Sequence, residues 1–204
     1  MDNLIDFFIE VGKLKGLERS GWVVEGVENP ESVADHSFRT ALMALVLGKG
    51  RKDIDLNKAV EMALVHDIAE SQIGDVLVDW KINEHGEKAN RLKDRERHGI
   101  TQQEKLKKER GGMEKLVSFL GEEGEKYLSL WEEFEAGKTS EAIFVKSVDV
   151  FEMFLQAFEY EEGQKGVDIS SWFNHKQNWE NIKDENVRKL LLEIVEKRRN
   201  GNKE

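Results

Sequence analysis

Two histidines and two aspartates stand where a helical core would not ordinarily place them. His36 sits in Ala34-Asp35-His36-Ser37, His66 is followed at once by Asp67, and Asp149 lies in Ser147-Val148-Asp149-Val150. The surrounding segments are apolar and of the kind that packs inside. A bare carboxylate there costs free energy unless it is paired or holds a cation. Two imidazoles and two carboxylates from three helices make a mixed N/O set for a divalent transition metal. Four protein ligands leave positions open for water and substrate, as hydrolysis requires. Singly, each residue has an ordinary alternative: a histidine satisfied within a core, or Asp149 paired with Lys146, one turn before it.

Helices must position these residues. One proline in 204 residues, with many Glu, Lys, Leu and Ala, predicts an all-α chain. Leu4, Phe7, Phe8, Val11 and Leu14 recur at three and four, which makes a first helix. Pro30-Glu31-Ser32 opens a second that carries His36 and runs to about Gly48. A third begins near Asp55 and carries Ala59, Met62, Ala63 and Val65 into His66. Asp79 to Ile100 is polar and irregular, a charged variable segment. Helix resumes over Thr101–Leu120, although Gly111-Gly112 weakens it, and again over Glu122–Glu135. Thr139-Ser140-Glu141 starts the long apolar helix that holds Asp149, and 184–199 is an amphipathic C-terminal helix. No strand alternation persists.

Composition narrows the class. The chain is long enough to bury one core, and 1–204 is expected to be a single domain. The absence of cysteine rules out a disulfide scaffold and a cysteine zinc site. No run approaches the about 20 apolar residues that span a bilayer, so no membrane association is expected. The start, MDNLIDFFIE, is acidic where a signal peptide is basic, which predicts a cytoplasmic protein. Net charge is −10, from 41 acidic and 31 basic residues, and an acidic surface repels a nucleic-acid polymer. No basic patch stands out beyond the mixed run Lys105 to Arg110. A phosphate-bearing substrate would need a local positive charge, and a metal ion supplies one.

The order His36, His66-Asp67, Asp149 resembles the H…HD…D pattern of the HD-domain metal-dependent phosphohydrolases. The flanking blocks are more specific than the dipeptide. Pro30 to Ser37, Leu64-Val65-His66-Asp67-Ile68-Ala69-Glu70, Gly74-Asp75, Leu130 to Glu135 and Phe144 to Asp149 look like the YfbR-like 5'-deoxynucleotidase branch, with the oxetanocin-like HD proteins. The resemblance covers about Leu4 to Glu162. It implies an all-α HD-domain helical bundle with its metal site between core helices, and usually a homodimer. It implies a divalent transition ion, with cobalt, manganese, nickel, zinc or iron all possible. It also implies hydrolysis of nucleoside 5'-monophosphates, preferably deoxy forms, to nucleoside and phosphate.

The resemblance assigns His36, His66, Asp67 and Asp149 as metal ligands. Glu70, four residues after His66, shares its helical face and would place or deprotonate the attacking water. Asp75 matches a family acid that protonates the leaving 5'-oxygen, and a helix cap is its ordinary alternative. The family sets an Arg on the phosphate and a Trp against the sugar near here, which points to Arg19 and Trp22; in some members the two adjoin, whereas two residues separate them here. Arg39 and Lys146 each stand one turn from a ligand and serve equally as ion-pair partners. His85, His98 and His175 match no second-metal motif, and no P-loop, GxGxxG or GxSxG element is present.

Two other readings are open. One is a pyrophosphohydrolase of nucleoside di- or triphosphates, which would need more positive charge than Arg19 and one metal supply. The other is an HD-fold protein that binds a nucleotide without turnover.

Overall fold

The computed structural model describes residues 2–77, 101–164, 167, 169–174, 179, 180 and 182–201. The whole of the expected variable segment, with His85 and His98, lies outside the described residues, and so does His175. The described elements are helical, and among the described residues the one strand-like contact is an isolated antiparallel bridge between Glu18 and Ser32. No helix among them is long and apolar enough to cross a membrane. They divide into two compact units, one from Met1–Ala34 and Asp67–Leu128, the other from Asp35–His66 and Ser129–Glu204.

The first unit holds α1 (Asp2–Gly12), a 3-10 turn (Lys13–Gly16), α2 (Ser20–Glu25), α5 (Glu70–Ile73), α6 (Gln102–Val117) and a second 3-10 turn (Ser118–Glu123). The expected periodic face does not all turn inward: Leu14, which falls in the 3-10 turn, is buried, whereas Leu4 and Phe8 of α1 are exposed, as are Ile5 and Ile9. α6 starts on a capping box, in which Thr101 accepts from the Glu104 N–H and the Glu104 carboxylate accepts from the Thr101 N–H. That pairing fixes the start, and the glycines do not break the helix. Gly112 instead marks a close approach, since a Cβ there would lie 3.1 Å from the Ala69 carbonyl and 3.3 Å from the Gln72 Cβ, and those neighbours would have to give. α6 thus lies close against α5, which ends where Gly74 takes a positive φ of 81°.

The second unit is built on α8 (Ser140–Gly163), capped by Thr139, whose hydroxyl accepts from the Ala142 N–H. α4 (Leu56–Val65) and α10 (Glu185–Gly201) pack on it, and so does the short α9 (Ser170–Asn174). Phe144, Val145, Val148, Phe154 and Ala157 of α8 are buried, as are Ala59, Met62 and Ala63 of α4 and Leu191 of α10. Each of these large side chains contributes about 1.5–3 kcal/mol by leaving water. α3 (Val33–Gly48), which lies in this unit from Asp35 onward, buries His36, Thr40, Ala41 and Ala44 on one face. α7 (Gly124–Ala136) contributes buried Leu130, Trp131 and Phe134.

Candidate metal centre

Three helices bring imidazole and carboxylate groups together in the second unit. His36 comes from the second turn of α3, His66 caps the C-terminus of α4, and Asp149 and Glu152 come from one face of α8. His36 Nε2 lies 3.3 Å from His66 Nε2 and 3.1 Å from Asp149 Oδ1, and His66 Nε2 lies 4.0 Å from the same oxygen. Both rings are buried.

The outer nitrogens fix the tautomers. His36 Nδ1 donates to Glu152 Oε2 at 2.5 Å, and His66 Nδ1 donates to the Ala63 carbonyl at 2.7 Å. That carbonyl belongs to the last turn of α4, where such oxygens lack helical partners. In neutral imidazoles each Nε2 then carries a lone pair. With both rings neutral, two Nε2 lone pairs and a carboxylate oxygen face one another, an arrangement that a cation relieves.

The donor set fits a divalent ion. Donors each about 2.1 Å from one ion stand roughly 3.0–3.4 Å apart when they subtend about 90–109°. The 3.1 and 3.3 Å separations match that edge. Imidazole with carboxylate suits a transition ion over calcium or magnesium. The carboxylate behind His36 orients the ring and raises its basicity, as behind many metal-bound histidines.

Asp67 follows His66 by one peptide bond, in the first unit. Its Oδ2 accepts from Arg19 Nη1 at 2.9 Å. Asp75 accepts from the Ser20 backbone N–H at 2.6 Å through Oδ2, and the Ser20 hydroxyl donates to the Asp75 carbonyl. Trp22 is buried and its indole N–H donates to Glu31 at 2.9 Å.

Glu70 is the least satisfied group described. It is 2% exposed, and neither carboxylate oxygen has a hydrogen-bond partner. Burial first, then the neighbouring Asp67 and Asp75 charges, push its carboxyl well above the usual range, with Arg19 and Lys105 pulling the other way. Lys105 Nζ stands 4.0 Å from Glu70 Oε1 and 3.2 Å from Glu109. Burial opposes its charge, but Glu109, Glu70, Asp67 and Asp75 outweigh it and hold the ammonium above its ordinary value. Two unsatisfied oxygens in so dry a place mark a site for chemistry rather than for folding.

The sequence singled out His36, His66 and Asp149, and the second unit brings these together; Arg19, Trp22, Asp67, Glu70 and Asp75 all lie in the first. Lys146 does not pair with Asp149; it reaches Glu135 at 3.4 Å and lies over the Phe134 ring. Arg39 joins Glu152, at 2.7 Å through Nε, together with Glu159 and Gln156. Glu152 and Lys105 were not anticipated. The first stands three residues after Asp149 on the same helical face, a hint that does not by itself separate it from the other acids of α8.

The bihistidine–carboxylate centre on three helices of the second unit, and a dry, unsatisfied glutamate in the first, are the features of a metal-dependent hydrolase of the helical class. The chain matches the HD domain family over residues 11–189, and it belongs to that family. It is 42% identical over 169 residues to the 5'-deoxynucleotidase HDDC2 of Dictyostelium discoideum, covering 79% of this chain and 80% of that one. It is 40% identical over 163 residues to the human protein of the same name, covering 78% and 69%. Among solved structures, the PH0347 protein of Pyrococcus horikoshii OT3 superposes with a TM-score of 0.68 at 31% identity, covering 95% of this chain and 96% of that one.

Proposed function

We propose that the protein is a metal-dependent 5'-nucleotidase that hydrolyses deoxynucleoside 5'-monophosphates to nucleoside and phosphate. The observation that carries this is the convergence of two Nε2 lone pairs and the Asp149 oxygen, each ring fixed from behind. The names of the curated relatives, at about 40% identity, support the substrate class.

His36, His66, Asp67 and Asp149 would hold one divalent transition ion, which would supply Lewis-acid chemistry to the phosphoryl group and the attacking water. Glu70 accepts the proton of the attacking water. Its lack of hydrogen-bond partners leaves both oxygens available for that task. Asp75, held by Ser20, donates a proton to the departing 5'-oxygen. Arg19, whose Nη1 donates to Asp67, supplies the guanidinium for the phosphate. Trp22, fixed by Glu31, supports the wall on the sugar side.

The chain acts as one HD domain over 1–204, in the cytoplasm, as a homodimer; the family match across residues 11–189 supports the first of these. The test is phosphate release by metal-stripped protein, with cobalt, manganese, magnesium or zinc restored, against paired ribo- and deoxyribonucleoside 5'-monophosphates. Metal-dependent release that is faster for the deoxy member and absent in His66→Ala is expected. No release from any monophosphate, by protein shown to bind metal, would overturn the nucleotidase and redirect the search to di- and triphosphates.

A further inference from the structure

Lys105 is a cation that the fold does not need. It stands at the end of the first turn of α6, where the helix dipole disfavours positive charge, and its side chain is only 22% exposed. Its short contact is with buried Glu109, one turn on, at 3.2 Å. Taking such a pair out of water costs about as much as its attraction returns, and apolar residues of similar size would pack as well. Stability therefore does not account for it.

Its position is nonetheless closely set. The capping box of Thr101 and Glu104 fixes the start of α6, and the approach at Gly112 sets that helix against α5, whose first residue is Glu70. The ammonium comes to 4.0 Å from Glu70 Oε1, beyond hydrogen-bonding distance. Glu109 takes one contact of a group that has three N–H donors, so donors remain for a ligand.

Charge says which ligand. Arg19 and Lys105 are the two cations that bear on Glu70, and both lie with it in the first unit. One guanidinium does not balance a phosphate monoester, which carries about −1.5 to −2 at pH 7. The ammonium supplies a second positive charge, on a flexible stem that can turn from Glu109 to a phosphoryl oxygen.

We propose that Lys105 is a substrate-binding residue whose ammonium, held ready by Glu109, contacts the phosphate of the nucleotide together with Arg19. This rests on the nucleotidase reading above, and adds a second cation to the phosphate subsite.

The two products of the reaction separate the parts of the substrate. In Lys105→Met the inhibition constant of inorganic phosphate is expected to rise about 10- to 100-fold, and KM for a deoxynucleoside monophosphate with it. The inhibition constant of the deoxynucleoside, which carries no phosphate, should stay as in the native enzyme, and its constancy also reports an intact site. At a pH where Glu70 is ionised kcat should change little, as for a contact made equally in the ground and transition states. Lys105→Arg should recover most of the phosphate affinity, and Lys105→Gln repeats the test if the methionine variant does not fold. A phosphate constant that does not move in a folded variant, or a deoxynucleoside constant that rises in parallel with it, would keep the nucleotidase and overturn this contact. A native chain that releases no phosphate from any monophosphate would overturn the nucleotidase and the contact with it.

Discussion

Glu152 holds His36 from behind: its Oε2 accepts from His36 Nδ1 at 2.5 Å, with neither side chain exposed. The other oxygen is held by Arg39, at 2.7 Å from Nε. The ring is thereby fixed in the tautomer that presents Nε2 to His66 and Asp149. Glu152→Gln keeps the volume and removes the charge, so metal affinity should fall about 10- to 100-fold while the helices remain formed. Isothermal titration with cobalt or manganese reads this, and unchanged affinity would remove Glu152 from the centre.

Glu70→Gln should cost roughly 10²–10⁴ in kcat and leave metal affinity intact. The same substitution should raise the thermal stability of the metal-free protein. The folded carboxyl sits above its unfolded value, so the folded state holds the proton more tightly and stability falls as pH rises above the ordinary carboxylate range. Glutamine has no such dependence. Its melting advantage should be present at pH 7 and should vanish as pH drops below that range, and a constant offset at every pH would refute the account.

Lys105→Met removes a cation that pulls against the upward shift of Glu70. The carboxyl should hold its proton to still higher pH, and the acid limb of the kcat/KM profile should move to higher pH with it. Lys105→Arg should retain the native limb. Equal loss of rate at every pH in the methionine variant would mean that Lys105 acts on packing alone.

Arg19→Lys keeps a charge and loses the planar guanidinium that donates to Asp67 and suits phosphate. KM for a nucleoside monophosphate should rise about tenfold, with a smaller fall in kcat. Steady-state phosphate release measures both. An unchanged KM would exclude Arg19 from the phosphate.

His36, His66 and Asp149 were legible because polar groups on apolar helices are physically expensive, and the sequence shows that contrast directly. The helices were legible from period and caps: Asp55, Thr101, Thr139 and Asp184 each cap where a polar residue precedes a periodic run. Glu152 was not, because α8 carries several other acids and only packing tells which of them is dry. Lys105 stood only as the start of a mixed charge run, yet it and Glu109, one turn on, both turn inward from α6. Gly112 was read as a weakness of the helix, since a sequence does not show how near a neighbour comes.

That glycine has a consequence for the chemistry. Gly112 lies two turns beyond Lys105 on the same side of α6, where its missing methyl group lets α6 approach α5. The length of a lysine chain is fixed, so the spacing of the two backbones decides whether its tip stands beside Glu70 or falls short of it. Alanine at this position would act as a shim between the helices. A methyl group that touches neither metal nor substrate would thereby alter the distance from Lys105 to Glu70, one of the charges that bear on that carboxyl.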